Sequence, residues 1–237
     1  MRIAAIIVAA GQSRRMGFDK LFAPLGDRPV LAHAIQAFQD SHCIDEIIVV
    51  TSSERYDDVA NLKDSYRLSK ISHVVHGGRD RHHSVQEGLR LVSPECTMIA
   101  VHDGARPLIC LEDIQRCADM ATEHGAAACA RKITETVKRA DASRRVTGSI
   151  DRSNLWATQT PQIFDRELLL CAYQAVEAKN LLVTDEVSAV ESLNEPVMLC
   201  QCTRPNLKIT FPQDLEVATR LLERPRSKAV TANFERV

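Results

Sequence analysis

Apolar runs rich in Ile and Val alternate along this chain with segments whose apolar positions recur at helical spacing. Ile3 to Ala10, IAAIIVAA, is apolar at every position, the pattern of a strand covered on both faces. PVLAHAIQAF carries Leu31, Ala34, Ile35 and Phe38 at helical spacing, with Pro29 suited to its first turn. DEIIVVTS reads as a second strand and ISHVVHGG as a third, with a loop expected between them. SVQEGLRLV opens a helix, where Ser84 and Glu87 have capping-box spacing. TMIAVHDGARP is another buried strand. LEDIQRCADMATEHG is a helix that should stop at Gly125. Strand–helix alternation of this kind predicts an α/β fold, a Rossmann-like, mostly parallel sheet with helices on both faces.

The pattern changes after Ala130. The stretch from Lys132 to Phe164 is polar with β-branched alternation and a turn near ADAS, which predicts a hairpin with little core of its own. Such a hairpin is marginal alone in water, so it should pack on something, a second subunit being one choice. Helices resume at DRELLLCAYQAVEA and TDEVSAVESL. Strands are expected at VMLCQC and NLKIT, then a helix at PQDLEVATRLLE. The expected organisation is one domain over 1–224, a protruding β-arm at about 132–156, and a mobile tail over 225–237, where periodicity is lost.

In sheets of this type ligands sit beyond the carboxyl ends of the strands. Three loops there carry both glycine and charge, those after Ala10, His76 and Val101. The formal net charge of the 237 residues is −1, which argues against a general nucleic-acid binder. Any anion must therefore be met by local clusters of Lys and Arg. No stretch is long enough to cross a bilayer, and the N-terminal apolar run reads as a strand rather than a signal peptide. Eight cysteines contain no C-x-x-C pair and mostly lie in apolar runs, which points to a reducing cytoplasm.

The loop after the first strand, VAAGQSRRMGFDK, sets Arg14, Arg15 and Lys20 behind small Ala9, Ala10 and Gly11. Glycine allows close backbone approach to a ligand, and successive N–H groups can form an anion nest, as for a triphosphate. The spacing is neither that of a Walker A loop nor G-x-G-x-x-G. A polar turn with solvated cations is the competing reading. HGGRDRHHSV places Gly77, Gly78, Arg81 and Ser84 after a second strand end, and HDGARP places Asp103 and Arg106 after another. Asp103 suits a Mg²⁺ ligand, or else a turn-forming residue. His82 and His83 read as solvated or packing side chains, and His102 at most as support behind the site.

The ordered set AAGxSxRM…K, GGxxRxxSV, HDGARP, DRxxLWxxQTPQxF, TDExSAxE and NxKIT resembles the 2-C-methyl-D-erythritol 4-phosphate cytidylyltransferases over Ile3 to about Leu222. The first motif is shared with many sugar-nucleotide pyrophosphorylases, whereas the six in order are specific. The resemblance implies transfer of a cytidylyl group from CTP to that polyol phosphate, with release of pyrophosphate, Mg²⁺ as cofactor and a homodimer. It implies catalytic roles for Arg15, Lys20 and Lys208. CTP would be bound by Ala9, Ala10, Gly11, Gly78, Arg81, Ser84, Asp103 and Arg106, with Asp103 also beside the metal. The polyol phosphate would meet Thr136, Arg152 and Thr160, and the arm would reach a partner subunit. Arg204 and Pro205 stand where the family commonly has an acid before NxK, which makes the pocket more cationic. A cytidylyltransferase for another polyol phosphate, such as ribitol 5-phosphate, and a non-catalytic nucleotide-binding module are the alternatives.

Overall fold

The computed structural model of the protein describes residues 1–11 and 16–223. In chain order its elements are β1 (Ile3–Ala9), the two-residue strands β2 (Pro24–Leu25) and β3 (Arg28–Pro29), α1 (Val30–Asp40), β4 (Glu46–Thr51), α2 (Tyr56–Ser65), β5 (Ile71–His76), α3 (Arg81–Leu89), β6 (Met98–Asp103), α4 (Leu111–His124), β7 (Ala126–Lys132), β8 (Lys138–Ala140), β9 (Val146–Ser149), β10 (Trp156–Asp165), α5 (Arg166–Ala178), α6 (Glu186–Glu191), β11 (Met198–Gln201) and α7 (Pro212–Glu223).

Seven strands form one sheet in the order β11-β7-β10-β6-β1-β4-β5. β1 runs parallel to β4 and β6, β4 to β5, and β11 to β7. β10 alone is antiparallel to its neighbours, β6 and β7. The apolar run of β1 is explained by period-2 geometry, because both of its faces are covered. Ile3, Ala5 and Ile7 pack with Leu31, Ile35 and Phe38 of α1 and Ile114 and Cys117 of α4. Ala4 and Ile6 face the other way, into Val85 and Leu89 of α3 and Leu169 and Tyr173 of α5. The mostly parallel sheet with helices on both faces is thus what the pattern predicted.

Three local readings need correction. The loop expected between the second and third strands contains α2. Its buried residues are Val59 and Leu62, too thin an apolar stripe to register against the charges around it. Ser84 does not cap α3, which begins at Arg81. The Ser84 hydroxyl lies inside the helix and donates to the Asp80 carbonyl at 3.1 Å. NLKIT is not a strand but an extended segment, tied down where Ile209 N–H donates to Ala105 O at 2.8 Å. Gly125 does end α4, with φ +82.

The predicted hairpin is β8 paired antiparallel with β9. Its turn is closed by the Asp141 carboxylate, which accepts from Ser143 N–H and Arg145 N–H. Val146 in the arm is 65 % exposed, so this hairpin buries almost nothing within its own chain. No helix of the described residues is long and apolar enough to cross a membrane.

Candidate active site

The parallel strands β1, β4, β5 and β6 end together at Ala9, Thr51, His76 and Asp103, and the glycine-bearing loops leave from that edge. Asp103, the last residue of β6, is 7 % exposed. Lys208 Nζ lies 2.9 Å from Asp103 Oδ2 and Arg106 Nε 3.3 Å from the same oxygen. Arg81 donates to Oδ1 at 3.3 Å. Burial alone would raise this carboxyl's pKa. Arg81, Lys208 and Arg106 outweigh it and hold Asp103 well below the ordinary carboxylate range.

Arg81 also grips a second acid. Its Nη1 donates to Glu186 Oε1 at 2.6 Å and Oε2 at 2.8 Å, and the Tyr173 hydroxyl donates to Oε1 at 2.8 Å. Glu186 opens α6 and is fully buried. Burial would lower the pKa of Arg81, but Glu186 and Asp103 raise it above the usual guanidinium value. Arg81, Arg106 and Lys208 set against Asp103 and Glu186 leave one positive charge in excess at the sheet edge. An arrangement of this sign favours a polyanion.

The strand end beneath is locked by a neutral imidazole. His102 is buried and its pKa is lowered to about 4, chiefly by burial. His102 Nε2 lies 3.1 Å from the Arg106 carbonyl, which can only accept, so Nε2 carries the proton. Nδ1 then accepts from the Thr160 hydroxyl at 3.1 Å, and Thr160 Oγ1 in turn accepts from Asp103 N–H at 3.0 Å. Asn206 donates to Thr160 O at 2.7 Å, and Arg106 Nη1 to Asn206 O at 2.9 Å. One network therefore fixes Asp103, Arg106 and the segment carrying Lys208.

This network predicts acid sensitivity with a definite sign. The unfolded chain takes a proton on His102 near 6.5, whereas the folded chain resists it until about 4. Stability from this group is complete above the upper value and is lost as pH falls to the lower one, about 3 kcal/mol in all. In urea titrations across that window, His102→Gln should lose less stability than the wild type on acidification. Parallel pH profiles would separate His102 from the effect.

The loop after β1 meets the same edge. Lys20 Nζ donates to Ile209 O at 2.7 Å, which sets its ammonium beside the segment carrying Lys208. The packing of Met16, Leu25 and Val30 with Ile209 and with Ala218 of α7 holds these two segments together. Arg55 Nη1 donates to Gly11 O at 3.0 Å and Arg55 Nε to Asp19, bracing the start of the loop and its return. Ala9, Ala10 and Gly11 lead into this loop; Arg14 and Arg15 lie outside the described residues.

The turn after β5 abuts the β1 exit. A Cβ on Gly77 would lie 2.5 Å from Ala10 Cβ and 2.8 Å from Ser84 Oγ, so only glycine fits there. Gly78 lies equally close over His83, and Ser84 is buried beneath the turn. Ala10, Gly77 and Gly78 thus lie together at the edge, with Ser84 beneath them.

The three residues assigned to the polyol phosphate do not assemble within one chain. Arg152 Nη1 donates to Thr134 O and lies 3.5 Å from Thr136 Oγ1, on the exposed root of the arm. Thr160 is instead buried at Asp103. Among the described residues, no hydrogen bond or ion pair joins Thr136 or Arg152 to the Asp103 cluster.

Sequence reasoning gave no role to Glu186, Tyr173, Asn206 or Arg55. Glu186 stood in plain view in TDExSAxE, as did its neighbour Asp185, which caps α6 and accepts from Gln162 at 2.9 Å.

A family profile described as 2-C-methyl-D-erythritol 4-phosphate cytidylyltransferase matches residues 3–224. The chain belongs to this family. It is therefore a nucleotidyltransferase that moves a cytidylyl group onto 2-C-methyl-D-erythritol 4-phosphate. A curated cytidylyltransferase of the same description from Alkaliphilus oremlandii is 38 % identical over 231 residues, covering 95 % of this chain and 97 % of the relative. One from Caldanaerobacter subterraneus subsp. tengcongensis is 37 % identical, covering 94 % and 100 %. Among solved structures, the 4-diphosphocytidyl-2C-methyl-D-erythritol synthase of Anaerococcus prevotii superposes with a TM-score of 0.83 at 30 % identity, covering 94 % of this chain and 96 % of that one. The family match bears out the reading made from the six motifs, and the superposition bears out the fold.

Proposed function

We propose that the Asp103-centred edge is where CTP reacts with 2-C-methyl-D-erythritol 4-phosphate. The observation that carries this is the convergence of Arg81, Arg106 and Lys208 on one buried carboxylate, with Lys20 against the neighbouring backbone. A phosphate oxygen of the polyol attacks the α-phosphorus of CTP. The bond from that phosphorus to the α–β bridging oxygen breaks, and pyrophosphate leaves with the electron pair. The attacking oxygen is already ionised near neutral pH, so no side-chain base is needed. Catalysis rests on in-line positioning and on cations facing the charge that builds.

Lys20 and Lys208, with Arg15 from the same loop as Lys20, face the α-phosphate and the departing pyrophosphate in this reading. Arg106 supports the phosphates. Arg81 holds Asp103 in place, and the Ala9–Ala10–Gly11 backbone and the Gly78–Ser84 turn bind the nucleotide. The divalent ion we assign is Mg²⁺. Asp103 fits it because the carboxylate stays ionised, and one protein carboxylate plus substrate phosphates is the usual way Mg²⁺ is held. When bound, the ion would neutralise triphosphate charge. Incoming phosphates would draw Lys208 and Arg106 off Asp103 and free its oxygens.

Thr136 and Arg152 belong to the polyol phosphate site. Their distance from the Asp103 network, together with an exposed arm that lacks a core, supports a homodimer in which each arm completes the partner's site. A cytoplasmic, single-domain enzyme accords with this chemistry and with eight free thiols.

The test is pyrophosphate release from CTP and Mg²⁺ with each polyol phosphate in turn. Release is expected with the methylerythritol substrate. Release with ribitol 5-phosphate alone would reassign the acceptor, and release with neither would leave a nucleotide-binding module. In the same assay Arg152→Ala should raise KM for the polyol phosphate about tenfold or more, as loss of a charge-assisted phosphate contact does, and leave KM for CTP unchanged. A shift in the CTP constant instead would overturn this division of the two sites.

A further inference from the structure

We propose a second metal site, for a divalent transition ion, formed at the start of α3 by the Asp80 carboxylate and the rings of His82 and His83. One potential ligand atom from each of these residues lies within 4.8 Å of the others. Asp80 occupies the N-cap position of α3, yet its carboxylate makes no capping bond. Asp at that position ordinarily accepts from the first turn's N–H groups. Here Oδ2 turns to His83 instead, 3.5 Å from Nδ1, and takes its one hydrogen bond from Arg79 Nε at 3.1 Å.

His83 Nδ1 is shielded from solvent and makes no hydrogen bond. The contact with Asp80 Oδ2 at 3.5 Å does not satisfy it, although a buried ring nitrogen ordinarily finds a hydrogen-bond partner. Coordination to a metal ion gives that nitrogen a partner. The His82 ring lies 4.0 Å from that of His83, centre to centre. A Cβ on Gly78 would lie 2.4 Å from His83 Cβ, so the chain before the helix passes close over the root of the His83 side chain.

Two imidazole nitrogens and one carboxylate oxygen suit Zn²⁺, Co²⁺ or Ni²⁺ and do not suit Mg²⁺, which prefers oxygen alone. Bonds of about 2.0–2.2 Å span donors up to about 4 Å apart, so small side-chain rotations close the set. Water fills the open positions. Arg79, 86 % exposed, is the cation the ion must displace from Asp80. Arg81 faces away from these three side chains, toward Asp103 and Glu186.

Titrating the full-length protein with Zn²⁺ or Co²⁺ in the absence of nucleotide tests this. One ion should bind per chain and resist excess Mg²⁺. His82→Ala, His83→Ala and Asp80→Asn should each weaken binding at least tenfold, since loss of an outer partner alone costs about that much. His42→Ala should bind as the wild type does. Should His83→Ala fail to fold, His82→Ala on the more open ring decides. Unchanged affinity in His82→Ala would overturn the site. So would a thiolate-to-cobalt charge-transfer band, which would move the ion to the thiols of Cys117, Cys129 and Cys200, grouped between α4, β7 and β11.

Discussion

Lys208→Ala is expected to lose about two to three decades in kcat while remaining folded. The magnitude follows from removing one preorganised charge aimed at the transition state, roughly 3 to 4 kcal/mol. The fold should survive because Asp103 keeps Arg81 and Arg106, each 3.3 Å away. If Lys208 acts only as charge builds, kcat and kcat/KM fall together and KM for CTP hardly moves. Lys20→Ala should behave alike, since its ammonium sits one residue along on Ile209 O. The check is steady-state pyrophosphate release beside a thermal melt of each variant. Turnover within a few-fold of wild type in Lys208→Ala would remove that lysine from the mechanism, whatever the melt shows.

The sheet was legible because burial on both faces leaves a mark in one dimension. Ile3 to Ala9 alternates between two apolar layers, so every position is apolar. α2 left no such mark. It rests on Val59 and Leu62 among charges, and polar spacing carries no period. The misplaced start of α3 has a similar origin. Ser-x-x-Glu is a capping pattern only when the serine lies outside the helix, and here the turn tightens at Gly77–Gly78 and starts the helix at Arg81.

Within the site, the basic residues were legible because loops rarely need cations. Of their counter-ions, Asp103 stood out in HDGARP but Glu186 did not. Whether Glu186 is a solvated first-turn acid or a buried partner depends on Tyr173, thirteen residues earlier, and on Arg81, more than a hundred residues away. The separation of Thr160 from Arg152 was an expectation from the resemblance, in which the arm reaches a partner subunit. A short spacing in DRSNLWATQTPQ hides a strand that carries its two ends to different places.

Arg81→Ala should be the most destabilising single change at the edge. It strands Glu186, which is fully buried and keeps only the Tyr173 hydroxyl. Breaking a buried pair by removing one partner costs about 3 to 5 kcal/mol, because an uncompensated charge remains. Arg81 is itself 27 % exposed, so water can reach part of the vacated space and the lower end of that range applies. Arg81→Met combined with Glu186→Gln should recover most of the stability by removing the orphan charge. It should not recover turnover, because Asp103 loses a cation that positions it. Urea midpoints for the single and double variants decide this. A double variant no more stable than Arg81→Ala would mean that Arg81 stabilises α3 through packing and that Glu186 is satisfied without it.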